Sequence, residues 1–136
     1  LQSVMNAAAR LVCSARKFDH VTPLLRELHW LRVPQRIAFW LTVYAYRCQH
    51  GLAPPYLSAD IRRVADADSR RRLRSASTAE LLVPSTNHVT IGDRAFPVAA
   101  ARAWNSLPPY VTSSPSLPVF RSRLKTELFA RSFDAV

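Results

Sequence analysis

Apolar residues recur at helical spacing through most of the chain. In its first stretch they stand at i, i+4, i+7 and i+11, as Val4, Ala8, Leu11 and Ala15. Further alanines between them favour the same state, so the pattern predicts a helix over residues 2–16. Thr22 followed by Pro23 is typical of a helix start and predicts a second, shorter helix over residues 22–30.

The longest predicted helix spans residues 34–50. Its apolar stripe consists of Ile37, Leu41, Tyr44 and Cys48. Large apolar residues also lie off this stripe, so we expect the helix to be buried on nearly all sides. Pro34 suits the first turn, and Gly51 suits a left-handed cap after the last turn. A further short helix is expected over residues 56–64.

The second half of the sequence favours two more helices. Residues 97–106 are rich in alanine, and a helix over residues 117–131 has a core stripe made of Leu117, Phe120, Leu124 and Leu128. The strand-like runs 80–83 and 89–91 flank a turn signature. We therefore expect a mainly α fold, with five or six helices in a compact bundle and room for one small β-hairpin near residues 80–91.

These elements divide the chain into three parts. Residues 1–58 form an N-terminal helical part, residues 59–79 form a polar, arginine-rich linker, and residues 80–136 form a C-terminal part. An apolar fraction of 49% is enough for a core and argues against disorder throughout. The longest apolar run, residues 37–46, is about half of the roughly 20 residues that a membrane helix needs, so no membrane partner is expected.

Positive charge is the strongest compositional signal. The chain has 19 basic and 9 acidic residues, a net charge of +10, and only Lys17 and Lys125 are lysines. Such an excess attracts polyanions, and arginine binds phosphate in a forked geometry, so RNA and/or DNA is the expected partner.

The basic residues gather in two places. The candidate nucleic-acid-binding residues of the linker are Arg62, Arg63, Arg70, Arg71, Arg72 and Arg74, and those of the last helix are Arg121, Arg123 and Lys125, with Arg131 nearby. Several such cations can neutralise phosphates and release counterions. The alternative is that they are solvated surface charges. The candidates for base stacking are Trp30, Trp40, Trp104 and Tyr110, for which core packing is the alternative.

Signatures of phosphate-binding loops and catalytic serines are absent. Gly51 and Gly92 are the only glycines, too few for a loop that cradles phosphate, and no serine lies in a Gly-x-Ser-x-Gly context. The nearest approach to an acidic metal site is formed by Asp60, Asp66 and Asp68, which local charge balance with the neighbouring arginines explains better.

A zinc site is the remaining chemical alternative. Cys48 and His50 form one close pair, and Cys13, His20 and His29 would have to converge on it, but their spacing matches no zinc knuckle. We therefore assign no catalytic residue, no metal ligand, no cofactor and no small-molecule substrate. Two cysteines do not make a disulfide framework, which favours an intracellular, reducing location. Within the cell, we expect the nucleus and cytoplasm.

Six phrases of the sequence stand in the same order as in one known family. They are LQSVMNAAARLV (1–12), DHVTPLLRELHWLRVPQRIAF (19–39), YRCQHGLAPPYL (46–57), RRLRS (71–75), GDRAFPVAAARAWNSLP (92–108) and SLPVFRSRLKTELF (116–129). The chain resembles the C-terminal region, after the thumb, of LINE-type (non-LTR) retrotransposon reverse transcriptases, jockey-like and related. Trp40 stands where relatives often have lysine.

The resemblance implies a part of an RNA-directed DNA polymerase without its active site. The family's paired polymerase aspartates and its endonuclease are not in this chain, which starts at Leu1 and is expected to belong to a longer polypeptide. The implied role is to hold template RNA or RNA–DNA hybrid during target-primed reverse transcription. The implied protein partner is the upstream polymerase domain.

Two alternatives stay open. In the first, the chain is a structural docking domain, in which helices 1–16 and 34–50 pack on the polymerase thumb. In the second, it is a degenerate retroelement fragment without present function. Alanine-rich helix faces, which permit close packing, favour the first of these.

Overall fold

The structure is a computed structural model that describes residues 1–66, 79–85, 87 and 89–133. Its α-helices are α1 (Gln2–Val12), α2 (Val21–Glu27), α3 (Val33–Gln49), α4 (Pro55–Ser58), α5 (Val89–Gly92), α6 (Phe96–Asn105), α7 (Pro109–Thr112) and α8 (Leu117–Phe133), with one 3-10 turn at Val64–Asp66. Within the described ranges, no helix combines the length and hydropathy needed to cross a bilayer. The prediction of a mainly α fold is confirmed.

Helix α3 lies at the centre of the fold, where it packs against both α6 and α8. Its Tyr46 meets Trp104 of α6 and Phe120 of α8, and all three rings are almost fully buried. The ring centroids of Tyr46 and Phe120 lie 4.5 Å apart, and those of Trp104 and Phe120 lie 5.5 Å apart. Since such aromatic pairs stabilise beyond the area they bury, this trio joins the first half of the chain to the second.

The polar atoms of this aromatic trio have hydrogen-bond partners. The Tyr46 hydroxyl donates to the carbonyl of Ser114 at 3.0 Å, and the Trp104 indole donates to the carbonyl of Ala79 at 2.8 Å. An unpaired buried hydroxyl or indole N–H would cost stability. Both bonds therefore also fix the segments before α6 and before α8 against the core.

A smaller apolar cluster holds the N-terminal helices. Ala9 of α1, Leu25 of α2 and Phe133 of α8 are its buried members. The side-chain oxygen of Gln2 accepts a 2.8 Å hydrogen bond from the backbone N–H of Val33, which ties the start of α1 to the start of α3.

Three helices end in the same left-handed turn, and only one of these turns uses glycine. Gly51 has a φ of 69°, as its predicted capping role requires, whereas Ser14 has 52° and His29 has 54°. The N–H that follows each of these residues donates back to a helix carbonyl, in the pairs Ala15 to Arg10, Trp30 to Leu25 and Leu52 to Arg47. This is the Schellman arrangement. At the ends of α1 and α2 it forms without a glycine, so the sequence carries no signal of where these two helices end. Helices α1 and α2 are therefore shorter than predicted.

The prediction that the long central helix is buried on nearly all sides was wrong. Ile37 is 55% exposed, Trp40 50% and Tyr44 38%, although the buried residues of α3 include Val43 and Tyr46. The reason is that α6 and α8 both pack on the side that carries Tyr46. The opposite side of α3 is left without a covering helix in the described part of the chain.

The region of the predicted hairpin folds differently. Val89–Gly92 is a helical turn and not a second strand. The strand-like run before it pairs with residues 62–64 instead, through the isolated antiparallel bridge between Arg63 and Leu81. The predicted helix over 56–64 is limited to α4. The segment between α6 and α8, for which no helix was predicted, contains the helical turn α7.

Candidate nucleic-acid interface

A groove with a volume of about 300 Å³ lies between the N-terminal half of α3 and the exposed side of α8. We call it the basic groove. It is lined by His29, Trp30, Leu31, Arg36, Phe39, Trp40, Arg121 and Lys125. The lining thus combines cations with aromatic rings, which are the two side-chain classes that bind single-stranded nucleic acid.

Helix α8 supplies two of the cations. Its buried stripe includes Phe120, Leu124 and Leu128, which face the core. Arg121 and Lys125 each follow a residue of that stripe and are one turn apart, so both project from the exposed surface of the helix on the same side. The packing of the core therefore fixes the side on which these two charges stand.

The turn between α2 and α3 places the remaining polar groups. Arg36 lies in the first turn of α3, and its Nε donates to the carbonyl of Leu31 at 3.0 Å. His29 occupies the left-handed position that ends α2 and stacks on Phe129 of α8 with a centroid distance of 5.1 Å. Both side chains are thereby held at the groove by contacts within the fold.

Trp40 is the most exposed large ring of the basic groove. Half of its surface is accessible, and its ring packs nearly perpendicular to that of Phe39 at a centroid distance of 5.4 Å. The guanidinium carbon of Arg121 lies 5.8 Å from the centroid of the Trp40 ring, within the range of a cation–π contact. Trp40 therefore combines an accessible aromatic surface with a cation beside it.

The basic groove has no carboxylate in its lining. Among the described residues, neither Arg121 nor Lys125 has an acidic partner within ion-pair distance. Arg131 differs, because its Nε contacts Glu127 at 2.8 Å and its Nη2 donates to the carbonyl of Ser106 at 2.6 Å. Uncompensated cations beside an apolar wall attract anions more strongly than paired ones do.

The other predicted basic residues of α8 do not reach this groove. Arg123 points away from Arg121, and its Nη1 donates to the carbonyl of Tyr110 at 2.8 Å. The Tyr110 hydroxyl donates to Glu127 at 2.6 Å. This bond is the largest cause that lowers the pKa of Glu127, with Arg131 adding to it, and it is also the main cause that raises the pKa of Tyr110. Arg123 thus belongs to a separate polar network.

The linker arginines fall into two groups. Arg62 and Arg63 are exposed, and the Nε of Arg63 donates to the Gln49 side chain at 3.1 Å. Gln49 ends α3, whereas Arg36 lies near its start, so about 20 Å of helix separates the two sites at 1.5 Å per residue. Arg70, Arg71, Arg72 and Arg74 lie outside the described residues.

The four candidates for base stacking differ in how much of each ring is exposed. Trp104 is 2% exposed and belongs to the core. Tyr110 is exposed but its hydroxyl is engaged with Glu127, and Trp30 is half-buried. Trp40 is therefore the strongest candidate of the four. Sequence reasoning missed Arg36 and His29, because their convergence with α8 depends on the turn that ends α2.

The zinc alternative finds no support in the described part of the chain, where no three His, Cys, Asp or Glu side chains are grouped to hold a metal. His50 stacks on Tyr46 with a centroid distance of 4.0 Å. Cys48 is buried, and this burial is the main cause that raises the pKa of its thiol. Burial thus makes Cys48 a poor nucleophile.

Comparison of the chain with known protein families, with curated proteins and with solved structures found no match.

Proposed function

We propose that this chain is a non-catalytic nucleic-acid-binding module whose basic groove holds a single-stranded segment. The observation that supports this most directly is the convergence of Arg36, Arg121 and Lys125 around the exposed ring of Trp40, without a carboxylate in the lining. Phosphates would contact the three cations, and one base would stack on the indole.

The phosphates and the bases of the ligand would be bound by different side chains of the basic groove. Arg121 and Lys125 lie on an exposed helix surface, so they can approach the phosphate backbone without burying charge. Every base has a π-face, and therefore stacking on Trp40 would not select a sequence. We expect binding that is strongly salt-dependent and only weakly dependent on base sequence.

The resemblance to LINE-type reverse transcriptases implies a ligand, a protein partner and a cellular location for this module. The implied ligand is template RNA, or an RNA–DNA hybrid whose single-stranded template end enters the basic groove. The protein partner is the upstream polymerase domain, and the location is the nucleus and cytoplasm. The linker arginines Arg70, Arg71, Arg72 and Arg74, which lie outside the described residues, would add further phosphate contacts.

The experiment is a fluorescence-anisotropy titration with a labelled single-stranded RNA, the matching single-stranded DNA and the matching duplex. Trp40→Ala should weaken binding of the single strands by about 1–3 kcal/mol, the usual contribution of one stacked base, and should affect the duplex less. Trp40→Phe should retain part of the affinity. Equal loss for single strands and duplex would contradict base stacking on Trp40.

The linker is tested separately. Replacing Arg70, Arg71, Arg72 and Arg74 with alanine should weaken binding to all sequences alike, because phosphate contacts carry no sequence information. Unchanged affinity would remove these four residues from the proposed interface and leave the basic groove as the binding site.

A further inference from the structure

A second groove adjoins the basic groove along α3 and shares Trp30, Arg36 and Trp40 with it, but its remaining lining residues lie outside the proposed nucleic-acid site. We call it the apolar groove. It has a volume of about 760 Å³ and lies between α1 and the exposed side of α3, with Val4, Ala8, Ile37 and Tyr44 among its lining residues. Val4 is 69% exposed and Ile37 55%, so large apolar side chains face solvent along both helices. Contiguous apolar patches of this kind mark interaction sites.

The shape of the apolar groove fits an α-helix. Val33, Ile37, Trp40 and Tyr44 form a stripe at i, i+4, i+7 and i+11, which is about 16 Å long at 1.5 Å per residue. The hydrogen bond between Gln2 and Val33 ties α1 to α3 at one end of the groove. Two neighbouring helices form a trough into which the side-chain ridge of a third helix packs.

An extended peptide is a poorer fit for the same site. Such a ligand needs a free sheet edge that offers backbone hydrogen bonds. The described residues contain only the isolated bridge between Arg63 and Leu81 and no strand beside this groove. An amphipathic helix needs none of these bonds, because its backbone is already paired.

The positive charge at the edge of the apolar groove favours a partner helix that carries acidic residues beside its apolar stripe. Arg36 lines the apolar groove, Arg121 stands over Trp40, and the guanidinium carbon of Arg47 lies 5.8 Å from the ring centroid of Tyr44. Neither the apolar groove nor the adjoining depression around Arg47 has an acidic residue in its lining. Glutamate or aspartate on the flanks of the partner helix would meet these cations.

We propose that the apolar groove binds an amphipathic α-helix with acidic flanks from a protein partner. A second copy of this chain is the weaker fit, because each copy brings a net charge of +10 to the contact. Nucleic acid fits less well too, because its phosphates would have to lie against the apolar side chains of Val4 and Ile37.

The test uses a labelled helical peptide with leucines at i, i+3, i+7 and i+10 and glutamates beside them. One control peptide replaces the glutamates with lysines, and another has the same composition with the leucines spread around the helix. The first peptide should bind, and both controls should bind at least about tenfold more weakly. Absence of binding by the first peptide, or equal binding by all three, would overturn the proposal.

Matched variants locate the site. Val4→Gln and Ile37→Gln should each weaken peptide binding about tenfold, because each removes a large apolar contact. Val12→Gln is the control, since Val12 lies on the same helix and is 61% exposed but is not part of the groove lining. Glutamine is neutral, so the helix dipole does not distinguish the two valine variants. Equal effects at Val4 and Val12 would contradict the assigned site.

Two further measurements on these variants identify other occupants. Sedimentation equilibrium of the full chain should show a monomer, and a dimer that Val4→Gln dissociates would assign the groove to a second copy. Oligonucleotide affinity should be unchanged by Val4→Gln and Ile37→Gln, and a loss equal to that of the peptide would assign the groove to nucleic acid. Either result would overturn the partner-helix proposal, while the basic groove would still be tested by variants of Arg121 and Lys125, which do not line the apolar groove.

Discussion

The side chain of Asn105 pairs with both backbone groups of Leu81. Its Oδ1 accepts from the Leu81 N–H at 2.8 Å, and its Nδ2 donates to the Leu81 carbonyl at 2.9 Å. The amide therefore pairs with the backbone of Leu81 as a neighbouring β-strand would. Leu81 itself belongs to an isolated bridge and not to a sheet. The preceding residue, Trp104, donates to the carbonyl of Ala79, so two adjacent residues of α6 hold residues 79–81 against the core.

Asn105→Ala should lower the free energy of unfolding by about 1–3 kcal/mol, because it removes partners from the backbone of Leu81, which is 2% exposed. Chemical denaturation monitored by tryptophan fluorescence measures this. Asn105→Asp should also destabilise, since a carboxylate can accept from the N–H but repels the carbonyl oxygen. A stability equal to that of the wild type in both variants would show that the pairing is not needed.

Ser14→Gly should raise the free energy of unfolding by about 0.5–1 kcal/mol, because Ser14 adopts a left-handed φ of 52° that glycine tolerates better. Ala7→Gly is the matched control within α1. It should lower stability by about 1 kcal/mol, since glycine is unfavourable inside a helix. A destabilising effect of Ser14→Gly would contradict the Schellman turn after α1.

The bond between Tyr110 and Glu127 should give stability a defined pH dependence. Because the folded-state pKa of Glu127 is lowered, its contribution is present above the ordinary glutamate pKa and is lost as the pH falls through the folded value. Because the pKa of Tyr110 is raised, its contribution is present below the ordinary tyrosine pKa and is lost as the pH rises through the folded value.

Tyr110→Phe tests this directly. The variant removes the largest cause that lowers the Glu127 pKa, so an NMR titration of the Glu127 carboxyl carbon should show a higher pKa than in the wild type. An unchanged Glu127 pKa in Tyr110→Phe would rule out the hydrogen bond as its cause.

The sequence was sufficient to predict the helices that depend on regular apolar spacing. The predicted range 34–50 is close to α3, and the stripe Phe120, Leu124 and Leu128 of α8 is buried as expected. The ends of α1 and α2 were missed because Ser14 and His29, unlike Gly51, do not signal a left-handed turn. The second predicted strand was wrong, because residues 89–92 form a helical turn and the strand-like run before them pairs with residues 62–64 instead.

The candidate site was predicted only in part. Arg121 and Lys125 were found from sequence, but Arg123 was grouped with them because the prediction rested on charge and not on helical spacing, which places Arg123 on another side of α8. Arg36 enters the site through a tertiary contact between the α2–α3 turn and α8. The exposure of Trp40 follows from the packing of α6 and α8 on the other side of α3, which no local pattern records.

The basic groove is tested most directly by comparing two double variants in a salt-dependent titration with a labelled single-stranded RNA. Arg121→Ala/Lys125→Ala should weaken binding about tenfold or more and reduce the slope of log affinity against log salt by about 1.4, at 0.7 per lost phosphate contact. Arg16→Ala/Lys17→Ala removes the same two residue types from the exposed α1–α2 turn and should change both quantities much less. Equal effects of the two double variants, or no effect of the first, would contradict a nucleic-acid site at the basic groove.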